Sequence, residues 1–254
     1  MAKLAFKEYG DGKPLIILHG LFGSSDNWVT MGKRLSESRH VYLPDLRNHG
    51  ASLHTDEFSY EAMADDLLEF IEDRNIENPD IAGHSMGGKV AMRFALDHPG
   101  LFSKLVVIDI APKAYSSRHD NLLDCMTSLD LTRVKTRQDA DELLKESVPK
   151  MAERQFLLKN LKRNAHGYEW KINLQAIGAN MDRMTEEIES GQKVEKTTLF
   201  IRGGNSDYIL PEDYPAIRAL FPRAEIVEIA GAGHWVHAEQ PEDFYRALVE
   251  FLER

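Results

Sequence analysis

The 254-residue sequence predicts an α/β fold, with a mostly parallel twisted sheet flanked by helices and a long helical insertion. Three observations carry this. Short continuous apolar runs, at residues 15–18, 104–112 and 197–204, have the character of strands buried on both faces. Segments with helical spacing separate such runs, a βαβ progression that calls for parallel strands and right-handed crossovers. Between residues 113 and 190 the strand signal disappears, over a stretch far longer than the few residues that usually connect elements.

Residues 4–9 read as a first strand, turning through Gly10-Asp11-Gly12. Leu15-Ile16-Ile17-Leu18 follows and ends in the glycine-rich loop His19-Gly20-Leu21-Phe22-Gly23-Ser24-Ser25, a site-forming position at the carboxyl end of a buried strand. Trp28, Met31 and Leu35 space a helix. Residues 40–45 give the next strand, and Leu46-Arg47-Asn48-His49-Gly50-Ala51-Ser52 a turn-rich loop. Residues 60–74 place Met63, Leu67, Leu68 and Ile71 on one helical face, with Asp65, Asp66 and Glu69 outside it. Ile81-Ala82 leads into Gly83-His84-Ser85-Met86-Gly87-Gly88 and a helical run. Pro99-Gly100 stops that helix, and residues 104–112 form another strand. In the insertion, residues 140–145, 151–161 and 174–184 look helical and charged, with no strand expected. The sheet resumes at residues 197–204, a helix occupies 211–220, and residues 225–229 make a last strand before Gly231-Ala232-Gly233-His234-Trp235. An amphipathic helix over 244–252 closes the chain. The expected division is a core of residues 1–112 and 191–254 with a cap of residues 113–190.

The net charge of -10, from 31 basic and 41 acidic residues, argues against nucleic acid or an anionic membrane as partner, since either would repel the chain. The single cysteine, Cys125, cannot form an internal disulfide and suits a reducing compartment. The first residues lack the apolar core of a signal peptide and no run is long enough to span a bilayer, so a cytoplasmic protein is expected, as monomer or homodimer.

Gly83-His84-Ser85-Met86-Gly87-Gly88 is the centre of the chemistry. A serine between glycines suits a strand-to-helix elbow, where the turn strains the serine backbone and leaves little room for flanking side chains. Ser85 is the candidate nucleophile, with the positive end of the following helix beside it. His234, in a glycine-rich loop past the last strand, is the candidate base. His19, His49 and His84 lie on loops facing the same edge and read as loop-shaping or pocket-lining. Two carboxylates compete to orient the imidazole. Asp109 ends an apolar strand, where burial demands a partner, and Asp207 sits in a turn after the next strand. The backbone N–H groups of Leu21 and Met86 are the candidate oxyanion donors, and Phe22, His84 and Trp235 the candidate pocket residues. No metal-ligand spacing is visible, and acyl transfer by serine needs no cofactor.

These motifs, His19-Gly20-Leu21-Phe22-Gly23-Ser24, Asp45-Leu46-Arg47-Asn48-His49-Gly50-Ala51-Ser52, the serine elbow and Gly233-His234, resemble the α/β-hydrolase superfamily across nearly the whole chain. Arg47-Asn48-His49-Gly50, Val107-Ile108-Asp109-Ile110-Ala111-Pro112 and Gly203-Gly204-Asn205-Ser206 are similar to the small YbfF-like esterases. The resemblance implies a serine carboxylesterase acting on short- to medium-chain acyl esters, with acyl-CoA thioesters as a further substrate class. It implies Asp109 as the acid, with Asp207 as the alternative because most α/β hydrolases use that seat. Two other activities remain on this scaffold. One is carbon–carbon hydrolysis or a lyase step, for which Arg118, Arg133, Arg154, Lys159, Arg163 and Arg183 are the available cap cations. The other is ligand binding without catalysis.

Overall fold

The computed structural model describes residues 3–116 and 120–254. In chain order its elements are β1 (Phe6–Tyr9), β2 (Lys13–Leu18), α1 (Val29–Leu35), β3 (Arg39–Pro44), α2 (Tyr60–Asp73), β4 (Asp80–His84), α3 (Met86–Asp97) and β5 (Leu105–Ile108). The chain then leaves the sheet for α4 (Asp120–Ser128), α5 (Arg137–Leu144), α6 (Met151–Leu158), β6 (Leu161–Asn164), β7 (Gly167–Trp170), α7 (Leu174–Ala179) and α8 (Met181–Thr185). It returns as β8 (Thr198–Gly203), α9 (Tyr214–Leu220), β9 (Ala224–Ile229), α10 (Val236–Glu239) and α11 (Pro241–Glu253).

The seven-stranded sheet has the order β1-β3-β2-β4-β5-β8-β9. Only β1 runs antiparallel; every other pairing is parallel. The apolar runs are continuous because each strand feeds both faces. Ile16, Leu18, Ile81, Leu105, Val107 and Phe200 enter one cluster, with side chains of α2, α3 and α9. Leu15, Ile17, Ala82, Val106, Ile108, Leu199 and Ile201 enter the other, covered by α1 and α11. The first cluster continues into the insertion through Met126, Val148, Leu157, Ile172, Ile177, Met181 and Met184, which lie over the carboxyl ends of the strands. Among the described residues, no helix is long and apolar enough to cross a membrane.

Two expectations are corrected. Asp66 does not lie on the solvent face of α2. It is 3% exposed and takes Arg47 in a two-point ion pair, Nε to Oδ2 at 2.6 Å and Nη2 to Oδ1 at 2.8 Å. A buried carboxylate is tolerable there because the guanidinium fork satisfies it. The insertion, expected to be all helical, contains the antiparallel hairpin β6–β7, with Asn164 opposite Gly167. Most of β6 is exposed, so its sequence lacks the apolar alternation that signals a strand.

Candidate active site

Four loops meet at the carboxyl edge of the sheet, and each is shaped by a local constraint. At the elbow, Ser85 has φ 53° and ψ -120°, a conformation that L residues rarely adopt. A side chain at Gly83 would strike the carbonyl oxygen of Gly87, and one at Gly87 would come within 2.6 Å of the Leu18 and His19 carbonyls. This is why glycines flank the serine. Ser85 N–H donates to Ile108 O at 3.0 Å, holding the elbow against the end of β5.

One residue beyond β5, Asp109 also has positive φ, 50°. The turn sends its carboxylate across the edge. Fully buried, it accepts from Gly203 N–H at 2.9 Å, from Ser206 Oγ and from His234 Nδ1 at 2.8 Å. Burial raises its pKa to about 6, opposed by the hydrogen bonds from Ser206 and Gly203. With Nδ1–H committed to Asp109, His234 presents Nε2 as an acceptor, and Ser85 Oγ lies 3.0 Å from it.

His234 is held on every side. Its carbonyl accepts from His84 Nε2–H at 2.8 Å. The Glu239 carboxylate accepts from Gly233 N–H at 2.8 Å and Trp235 N–H at 3.1 Å, clamping the loop. The Tyr208 ring stacks on the imidazole, centroids 3.8 Å apart and planes 15° apart. Asp207, the alternative acid, is exposed on the rim of the groove beyond His234. The structure thus brings Asp109, not Asp207, to the imidazole.

The remaining loop presents the second N–H. Gly20 O accepts both His19 Nδ1–H and Gly23 N–H, each at 2.9 Å. Because a trans peptide points its C=O and N–H in opposite directions, pinning this carbonyl aims Leu21 N–H the other way. Leu21 and Met86 both line the small cavity at Ser85. His19 Nε2 accepts Leu46 N–H at 2.9 Å, and His49 Nε2 accepts Phe22 N–H at 3.2 Å. Burial keeps these imidazoles neutral: His19 is lowered, and His49 and His84 fall to about 3. Each is buried and hydrogen-bonded to backbone of these loops.

Two spaces adjoin the Ser85–His234 pair, one at each residue. One is a cavity of about 40 Å³, lined by Leu21, Tyr60, Met86, Ile110, Met181 and Met184 among others. The other is a groove of about 950 Å³ beyond His234, where Trp235 and Phe156 stand with ring centroids 5.5 Å apart. Of the expected pocket residues, Trp235 lines this groove. Phe22 instead packs into the core at 1% exposure. His84 is buried behind the base, 4.7 Å from it between ring centroids. Sequence reasoning missed Glu239, Ser206, Tyr208 and Tyr60. Of these, Ser206 and Tyr208 stood in the turn already singled out around Asp207, Gly204-Asn205-Ser206-Asp207-Tyr208.

Fold and elbow together define the class, an α/β hydrolase. The family model described as alpha/beta hydrolase fold matches residues 13–241, and the chain belongs to that family. It is 39% identical to the sn-1-specific diacylglycerol lipase ABHD11 of Danio rerio, over 98% of this chain and 81% of that protein. It is 35% identical to the esterase YbfF of Escherichia coli strain K12, over 95% of this chain and 94% of that one. Among solved structures, a marine microorganism esterase superposes with a TM-score of 0.96 at 44% identity, over 99% of this chain and 100% of that chain.

Proposed function

We propose that this chain is a serine carboxylesterase that hydrolyses short- to medium-chain acyl esters through an acyl-enzyme. Membership of the carboxylic ester hydrolases rests on the family and its esterase and lipase relatives. The observation that carries the serine mechanism is the unbroken path from Asp109 Oδ2 to His234 Nδ1, at 2.8 Å, and from His234 Nε2 to Ser85 Oγ, at 3.0 Å.

On this reading His234 Nε2 takes the Ser85 proton as Oγ attacks the acyl carbonyl. The oxyanion meets the N–H groups of Leu21 and Met86, and Asp109 stabilises the imidazolium. His234 then returns the proton to the departing alcohol oxygen, leaving the acyl group on Ser85. Water enters, gives its proton to Nε2 and attacks the acyl carbonyl, and the acid leaves as Ser85 regains its proton. An acyl thioester reacts by the same steps with a thiol as leaving group.

The leaving oxygen must face His234, which borders the wide groove, while the oxyanion donors border the narrow cavity. The acyl chain therefore takes the narrow side, and a large alcohol or thiol the groove. This favours the short end of the acyl range. The chain divides on this reading into the core, residues 1–112 and 191–254, and a substrate-covering cap, residues 113–190.

Carbon–carbon hydrolysis of a dicarboxylate or diketone has less support. None of the described residues lining the cavity is cationic. Arg154 is buried and committed to Asp141 and to the carbonyls of Val148 and Pro149. Arg133, Arg163 and Arg183 are exposed, Lys159 lines the groove beyond His234 and not the cavity, and Arg118 lies outside the described residues. Rapid-mixing release of p-nitrophenol from p-nitrophenyl acetate, butyrate and octanoate tests the reading, with Ser85→Ala in parallel. The wild type should turn over, fastest on the shorter acyl chains, and the variant should fall to background. Equal rates in the two proteins would remove Ser85 from the mechanism.

A further inference from the structure

The loop that carries Leu21 N–H is held in shape by a residue from the insertion. Residues 20–23 form a tight turn closed by Gly23 N–H to Gly20 O, and its third position, Phe22, has φ 58°. Leu21 is not among the positive-φ residues, so the pattern is that of a type II turn, whose third position favours glycine. A phenylalanine there strains the backbone, and such a conformation persists only where the surroundings over-determine it. Three restraints do so. The Phe22 ring is locked in the core, its N–H is held by His49 Nε2, and its carbonyl accepts Asn160 Nδ2–H at 2.6 Å.

Asn160 lies 138 residues away, between α6 and β6, and is 1% exposed. Its own backbone is tied on both sides, N–H to Leu157 O at 2.9 Å and C=O from Lys171 N–H at 2.7 Å. The side-chain Oδ1 is buried with no partner among the described residues. An orphan acceptor of that kind costs about 1–3 kcal/mol, so an asparagine is not accounted for by its own satisfaction. Its donor atom, aimed at the strained turn, accounts for it.

We infer that Asn160 is a positioning residue for the oxyanion donor: its bond to Phe22 O couples the seating of the insertion to the orientation of Leu21 N–H. The inference rests on the esterase reading for its kinetic part alone. A turn released at Phe22 relaxes its backbone, and the donor one residue earlier moves with it. Losing an oxyanion donor outright costs about 10²–10³ in rate, so its displacement should cost at least tenfold.

The test uses Asn160→Ala and the isosteric Asn160→Asp, which keeps the volume and removes the donor. Hydrogen exchange of residues 20–28, read by mass spectrometry, should speed up in both variants while α3 and α11 keep wild-type protection. On p-nitrophenyl acetate, kcat should fall at least tenfold with KM within twofold, and inhibition by a trifluoromethyl ketone should weaken by the same factor as kcat. Unchanged exchange in 20–28 overturns the coupling. Faster exchange with kcat unchanged, or a rise in KM alone, overturns the positioning role. Failure of the esterase reading appears separately, as a wild-type rate no greater than that of Ser85→Ala, and the exchange result still decides whether Asn160 holds the turn.

Discussion

The carboxyl edge of the sheet and the insertion above it face the same serine but are built differently. At the edge each reactive group has several partners: Asp109 accepts three hydrogen bonds, and the His234 loop is held by His84, Glu239 and a stacked Tyr208. Strain is concentrated there too, at Phe22, Asn48, Ser85 and Asp109, all with positive φ. The insertion presents flexible Met181 and Met184 to the cavity and meets the core through a shared apolar cluster and polar contacts such as Asn160 to Phe22 O and Asn180 Nδ2 to Asp56 O. On the proposed esterase reading, the edge is over-determined because its geometry would set a rate, while the insertion, whose methionines line the cavity, would set which acyl group enters.

The comparison can be broken most sharply at the acid. Asp109→Asn is expected to lower kcat by ~10⁴ by favouring the wrong imidazole tautomer, whereas Asp207→Asn should stay within tenfold. Equal losses would mean that both carboxylates serve His234. The same group sets a pH trend. Its carboxyl titrates near 6 in the folded chain, against about 3.9 unfolded, so catalysis should climb as pH rises through 6. The folded state binds this proton more tightly, so the group's contribution to stability is lost as pH rises from about 4 to about 6. Measured by thermal unfolding, Asp109→Asn should therefore gain on the wild type between pH 4 and pH 7.

Next in size is a structural loss behind the edge. Asp66→Ala takes the two-point partner from the buried Arg47 guanidinium, leaving it Glu57 at 3.5 Å and two backbone carbonyls, and should destabilise the chain by about 3 kcal/mol in urea unfolding. Asp141→Ala, the matching loss in the insertion, should cost less, because solvent reaches 19% of that side chain. A greater loss at Asp141 would reverse the contrast. The smallest effect expected is one of choice rather than rate. Met184→Ala enlarges the cavity and should raise the octanoate-to-acetate ratio of kcat/KM about tenfold, in line with the 1–3 kcal/mol that one methylene commands in an apolar pocket.

Much of the edge was legible because its devices are local. Gly83 and Gly87 mark the elbow through the collisions any side chain would cause there, and Gly233-His234 follows the last strand where a base is needed. The choice of acid was not legible, since Asp109 and Asp207 both follow strands at the same edge. In the structure Asp109 meets the imidazole through a turn of positive φ, which no composition or periodicity encodes. Asp66 was misplaced because helical spacing reports the apolar stripe and not the partner that makes a buried charge tolerable. Glu239, Tyr208 and Asn160 act through contacts that only the folded topology creates.

The Ser85–His234 bond joins residues 149 apart in sequence, and the Asp109–His234 bond residues 125 apart. Such pairings close long loops of the chain, and non-local contacts are slow to form. Helices such as α2 and α11 draw on neighbours a turn away and can form while the sheet is still incomplete. On dilution from denaturant, ellipticity should therefore return ahead of ester hydrolysis, with the lag measuring how long the final strand takes to find its seat.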